Sequence, residues 1–172
     1  MISFRNSKSR LKRFRELTET VHTSALIEAS LPVELWVEIL ALLRYMSMCF
    51  QTEHWTVSGT NYYGDHLLWM RLYDSVAKQI DGVAERAVGT AGEEAVDLGR
   101  SLDKIMAMKD LSGSRGAEKG LSLVNRLLMI LEGADRLEMS IGTRDFLNGL
   151  ASEMEISVYL LKQRIEGISY KG

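Results

Sequence analysis

The 172-residue chain has one proline, one cysteine and three histidines. A lone cysteine, Cys49, excludes an intrachain disulfide and suits a reducing cytoplasm. Set in YMSMCF, its thiol is expected to be buried and inert. With one proline, little apart from glycine interrupts long helices. No unbroken apolar run approaches the roughly 20 residues of a membrane span. The basic start is not followed by the apolar segment of a secretory signal, so none is expected. There is no internal repeat and no strand-like alternation. Few histidines, no Gly-x-Ser-x-Gly and no glycine-rich phosphate loop give little support to a hydrolase or a nucleotide enzyme.

Charge is present but unevenly placed. Residues 1–15 carry Arg5, Lys8, Arg10, Lys12, Arg13 and Arg15 and no acid, leaving 15 basic against 23 acidic side chains on the rest. A basic arm on an acidic body suits a polyanion such as DNA, whose phosphates it can neutralise with release of counterions. A solvated, frayed terminus explains the same charge run. Leu11, Phe14, Leu17 and Val21 also recur at helical spacing, so part of the arm can dock instead. Residues 1–29 are therefore set apart as a basic extension from a folded unit over 30–172.

Abundant Ala, Leu, Met, Glu and Arg predict an all-α unit. A first helix runs from Pro32, with Ser30 as cap, to about residue 57, and Ser58-Gly59-Thr60-Asn61 breaks it. A second spans 62–88, with Leu67, Met70, Tyr73, Ala77, Ile80 and Ala84 as its apolar stripe and Gly89 as C-cap. Gly92, Gly99, Gly113 and Gly116 then mark a long crossover around one short helix. The third and fourth helices fit 117–139 and 143–168. On the fourth, Leu147, Leu150, Met154, Val158, Leu161 and Ile165 form a stripe. The short link between them makes them antiparallel neighbours. Four long helices with one long middle connection predict a four-helix bundle with a crossover.

Two of the three histidines, His54 and His66, flank the Ser58–Asn61 break. They are either metal ligands or turn residues satisfied by ordinary hydrogen bonds. Asp81 and Glu85, four apart on one helix face, could join imidazole nitrogen around a hard cation. His66 and Asp81, however, stand about 22 Å apart along one helix. Two copies of the second helix, packed antiparallel about a two-fold axis, would bring the four groups together, so a metal here requires an oligomer. Within residues 30–172 no Glu-x-x-His occurs, the one match, Glu19–His22, lying in the basic extension, and this speaks against a metal inside a single bundle. Trp36, Trp55, Trp69 and the nine methionines are read as core, and His22 as a surface or docking residue.

The string HWTVSGTNYYGDHLLWMRLYDSVAKQIDGVAER resembles the hallmark segment of the Dps family, the DNA-protecting mini-ferritins. His54-Trp55, Gly59, Tyr62/Tyr63, His66, Asp81 and Ala84-Glu85-Arg86 fall at the family's intervals, and the likeness extends over residues 30–168. The resemblance implies a ferritin-like bundle that assembles as a hollow dodecamer. It implies two-fold interfacial sites where ferrous iron is oxidised with peroxide before storage as ferric mineral. His54 and His66 of one subunit would be ligands with Asp81 and Glu85 of the next, beside Trp55; zinc is another candidate occupant. It further implies a cytoplasmic protein, on the nucleoid where the arm from Arg5 to Arg15 meets DNA. One position departs: the family keeps an aspartate four residues after the second histidine, and this chain has Met70. A neutral thioether is a weak partner for ferrous iron. Asp65 and Asp74 do not obviously replace the missing carboxylate, and the alternative is a Dps-fold assembly or DNA-binding protein with a weakened or lost site. Thr56 stands where the family favours Asn. Asp145 and Glu153 are candidates for an acidic pore by the same general likeness.

Overall fold

The computed structural model describes residues 31–108 and 116–167. The basic extension, Ser30, His22 and Gly113 lie outside them. Helix α1 spans Val33–Thr56, α2 Tyr62–Ala91, α3 Leu98–Met108, α4 Gly116–Asp135 and α5 Ile141–Glu166, with a 3-10 turn at Glu93–Val96. The described residues contain no strand. The all-α bundle with a short crossover helix is as expected.

Pro32 itself occupies the position before α1, where a locked φ suits a helix start. Its carbonyl accepts from the amides of Leu35 at 3.0 Å and Trp36 at 3.4 Å. The break after Thr56 turns on Gly59, whose φ of 95° a side chain would strain. Helix α2 runs past the predicted cap at Gly89 to Ala91. Gly92 ends it with a φ of 85°, and its amide donates to Val88 O at 3.0 Å. Gly89 is an ordinary helical residue. Helix α4 stops at Asp135, short of the predicted 139. Helix α5 starts at Ile141, where Ser140 Oγ accepts from the Thr143 amide at 3.2 Å.

Helix α1 packs along α2, α4 packs along α5, and the two pairs close on each other chiefly through α1 and α4. Because α3 also lies on α1, Trp36, Val37, Ile39, Leu40, Ala41, Leu42, Leu43, Met46 and Phe50 are all buried. A helix covered on several sides is apolar nearly all round, and α1 reads so. The α5 stripe is borne out at Leu147, Leu150, Met154 and Leu161, with Val158 and Ile165 half-buried.

The predicted α2 stripe is corrected in part: Tyr73, Ile80 and Ala84 are half-buried and pack against the core. Trp69, Leu72, Val76, Val83 and Ala87 enter the core, while Met70, Leu67 and Ala77 are exposed. Members of each set lie three, four or seven residues apart, so α2 carries two adjoining apolar faces. The core takes the face with the larger, β-branched and aromatic groups. Cys49 is half-buried rather than fully buried, and Trp36 and Trp69 are core residues.

Candidate metal centre

His54 lies in the last turn of α1 and His66 in the first turns of α2. The five-residue link folds the two ends against each other, bringing the imidazoles face to face. Their centroids are 3.9 Å apart and their planes are inclined by 27°. The Nδ1 of His54 lies 3.1 Å from the backbone oxygen of His66, and the Nδ1 of His66 lies 3.1 Å from the backbone oxygen of His54. A carbonyl oxygen can only accept, so both Nδ1 atoms must carry the proton. In a neutral ring that leaves Nε2 with the lone pair, the donor atom a metal needs, held in a fixed tautomer.

The reciprocal pair also serves the fold. The last carbonyls of a helix lack intrahelical partners, and His66 supplies one to α1. Tyr62 stacks on His66 at 5.2 Å and Tyr73 stands 6.3 Å from His54, so aromatic rings bracket the pair. Both histidines are half-buried. Trp55, read from sequence as core, is instead 68% exposed beside the pair. Thr56 uses its hydroxyl on Thr52 O at 2.9 Å, which explains a hydroxyl there without any metal.

Asp81 and Glu85 are exposed, far down α2 from the histidines, as the helix rise requires. No group of three or more His, Cys, Asp or Glu side chains able to hold a metal occurs among the described residues. Each chain thus offers two imidazoles at one place and two carboxylates at another. Met70 follows His66 by one turn and is 38% exposed. Asp74 is exposed, and Asp145 and Glu153 lie exposed on α5.

Asp65 has a different occupation. Arg164 of α5 grips it, with Nε donating to Oδ1 and Nη2 to Oδ2 at 2.8 Å. The hydrogen bond to Asp65 raises the Arg164 pKa, against burial, which lowers it. On the other strand of the turn, Glu53 Oε1 accepts from the Gly116 amide at 3.2 Å, at the N-terminus of α4. An acid there is favourable because the first amides of a helix are unpaired. Sequence reasoning missed Arg164 and Glu53. Arg164 is 99 residues from its partner, and no local pattern announces such a pairing.

No family model matches the chain. It is 28% identical over 120 residues to a DNA protection during starvation protein of Brevibacillus brevis, covering 66% of this chain and 80% of that one. It is 28% identical over 123 residues to an uncharacterized low temperature-induced protein of a Nostoc species, covering 66% and 68%. Among solved structures, a C-terminal deletion mutant of Mycobacterium smegmatis Dps superposes with a TM-score of 0.62 at 18% identity, over 77% of this chain and 95% of that one. Dps from Thermosynechococcus elongatus gives 0.58 at 20% identity, over 87% and 94%. The bundle is ferritin-like, and the likeness to Dps proteins read from the sequence recurs in both comparisons.

Proposed function

We propose, on the premise of a Dps-like chain in sequence and fold, that the protein is an oligomeric mini-ferritin that binds and oxidises ferrous iron. The observation that carries this reading is the reciprocal His54–His66 lock, which presents two Nε2 donors from one chain. Two imidazoles alone hold iron weakly, and ferric iron prefers anionic oxygen. Asp81 and Glu85 of a second copy supply that oxygen if α2 packs antiparallel on its mate. Pairing residue 66 with 81–85 places the two-fold axis near residues 73–76 of α2, with the exposed Met70 and Ala77 to either side of it along the helix. An axis there makes two identical sites per dimer, and the dodecamer of such dimers encloses the mineral.

At each site the residues supply positions and charge. The imidazoles hold ferrous iron as substrate and the carboxylates stabilise the higher charge as it forms. One peroxide takes one electron from each of two ferrous ions and, with two protons, leaves as water. Trp55 stands exposed beside the pair. The basic arm from Arg5 to Arg15 would lay the shell on DNA, which locates the work on the nucleoid in the cytoplasm. Zinc, with its preference for nitrogen and oxygen donors, competes for the same atoms.

Met70 favours a second reading, an assembly or DNA-binding protein of the same fold whose oxidation site is weakened. The two readings separate on one experiment. Assembled, metal-free protein given ferrous iron and peroxide should develop ferric absorbance, and His54→Ala or Asp81→Ala should abolish it. Absence of the signal from the unmodified protein removes the enzymatic reading and leaves the second.

A further inference from the structure

The histidine pair is held from behind. Each histidine directly follows an acid, Glu53 before His54 and Asp65 before His66, and both acids point away from the pair into the bundle end. There a cleft of about 300 Å³ is lined by Glu53, Asp65, Trp69, Gly116 and Arg164. Glu53 ties the end of α1 to the start of α4, and Asp65 ties the start of α2 to the end of α5. The backbone oxygens that lock the two rings belong to His54 and His66 themselves, one residue past these anchors. A bidentate guanidinium–carboxylate pair fixes both position and orientation, unlike a lone ammonium contact. Any shift of the α2 start moves His66 O, and with it the acceptor that sets the His54 tautomer.

We propose that Arg164, acting through Asp65, is a positioning residue that holds both imidazoles as Nδ1–H tautomers with Nε2 presented outward. Arg164 touches neither ring, and its effect is conveyed by the backbone at residues 65–66. Asp65 is consumed in this role and is not a substitute for the carboxylate that Met70 displaces. The use of the outward Nε2 atoms as metal donors rests on the function proposed above; the ring tautomer does not.

The test compares full-length assembled protein with Arg164→Gln, Arg164→Lys, Asp65→Asn and, as a control, Arg126→Gln, which removes the ion pair that Arg126 of α4 makes with Glu38 of α1 at 3.7 Å. Raman bands of the imidazole C4–C5 stretch report the tautomer in metal-free protein, in a His22→Ala background so that only the pair contributes. Cobalt(II) titrated against its visible absorption reports donor presentation. Arg164→Gln and Asp65→Asn should each populate the Nε2–H tautomer and weaken cobalt binding about 10- to 100-fold, the range for groups that orient ligands. Arg164→Lys should fall between, keeping charge but losing the fork, and Arg126→Gln should change neither reading. Unaltered tautomer bands in Arg164→Gln and Asp65→Asn overturn the proposal, whatever happens to thermal stability. Should the unmodified protein bind no cobalt, the metal reading fails, and the Raman comparison still decides the role of Arg164. If Arg164→Gln does not fold, Asp65→Asn and Arg164→Lys carry the same comparison.

Discussion

At the scale of single residues, the site turns on which atoms of each side chain are already engaged. His54 and His66 spend Nδ1 on backbone carbonyls and keep Nε2. Asp65, adjacent in sequence, has both carboxylate oxygens taken by Arg164. Under the proposed function Met70 weakens the site, because it puts a neutral sulfur one turn from His66 where the resemblance implies an anionic oxygen. Met70→Asp should therefore raise the initial rate of ferric absorbance about tenfold or more, the scale of a change around metal ligands. A stopped-flow comparison at equal iron loading measures it, and an unchanged rate would show that position 70 lies outside the reacting sphere. Little of this was legible beforehand. Spacing nominated the two histidines, but the lock between them depends on a chain reversal that brings residues 54 and 66 into contact.

At the scale of elements, two glycines in long helices show how packing overrules propensity. A Cβ on Gly120 in α4 would sit 3.1 Å from Leu161, 3.3 Å from Trp69 and 3.4 Å from Phe50. A Cβ on Gly149 in α5 would meet nothing within 4 Å. Gly149→Ala should raise stability by about 0.5–1 kcal/mol, since alanine lowers the entropy lost on forming a helix. Gly120→Ala gains the same propensity but crowds three core side chains, where overpacking costs about 1–3 kcal/mol, and should give a net loss. Urea unfolding of both variants decides this, and a stabilised Gly120→Ala would mean the α1–α4 contact is looser than described. The α2 stripe carries the same lesson. A period of 3.6 identifies the angle of an apolar face but not which of two such faces meets the core. Leu67, Met70 and Ala77 have the right period and face outward, while Trp69, Leu72 and Val76 have it and face inward.

At the scale of the whole molecule, the proposed function gives each chain half a site. The exposed apolar residues Leu67, at 39%, and Met70, at 38%, lie on the face of α2 that the proposed function assigns to a second copy. Ala77 lies near the proposed axis, between Asp74 and Asp81 of its own helix. Ala77→Glu should leave the chain folded, because residue 77 is exposed, and should dissociate the oligomer through like-charge contacts costing several kcal/mol. Light scattering would show the smaller species, with iron oxidation lost alongside; an intact assembly would place the interface elsewhere. The basic extension makes its own prediction. Removing residues 1–15 takes six positive charges and should abolish the salt-sensitive DNA binding. Retained binding with an unchanged salt slope would assign the contact to the shell.

The sequence by itself determined the helical class, the long crossover, the break at Gly59 and the spacing of His54, His66, Asp81 and Glu85. These follow from local propensity and periodicity, which act within a few residues along the chain. Tertiary structure decided which face of α2 is buried, that Gly92 and not Gly89 ends it, and that Trp55 stands in solvent. It also decided that Asp65 belongs to Arg164 and that the two histidines fix each other's tautomer. The reason is distance along the chain. Apart from the Gly92 cap, which closes on Val88 of the same helix, each of these outcomes depends on a partner from another helix or on the competition between faces, and neither is encoded in any local window.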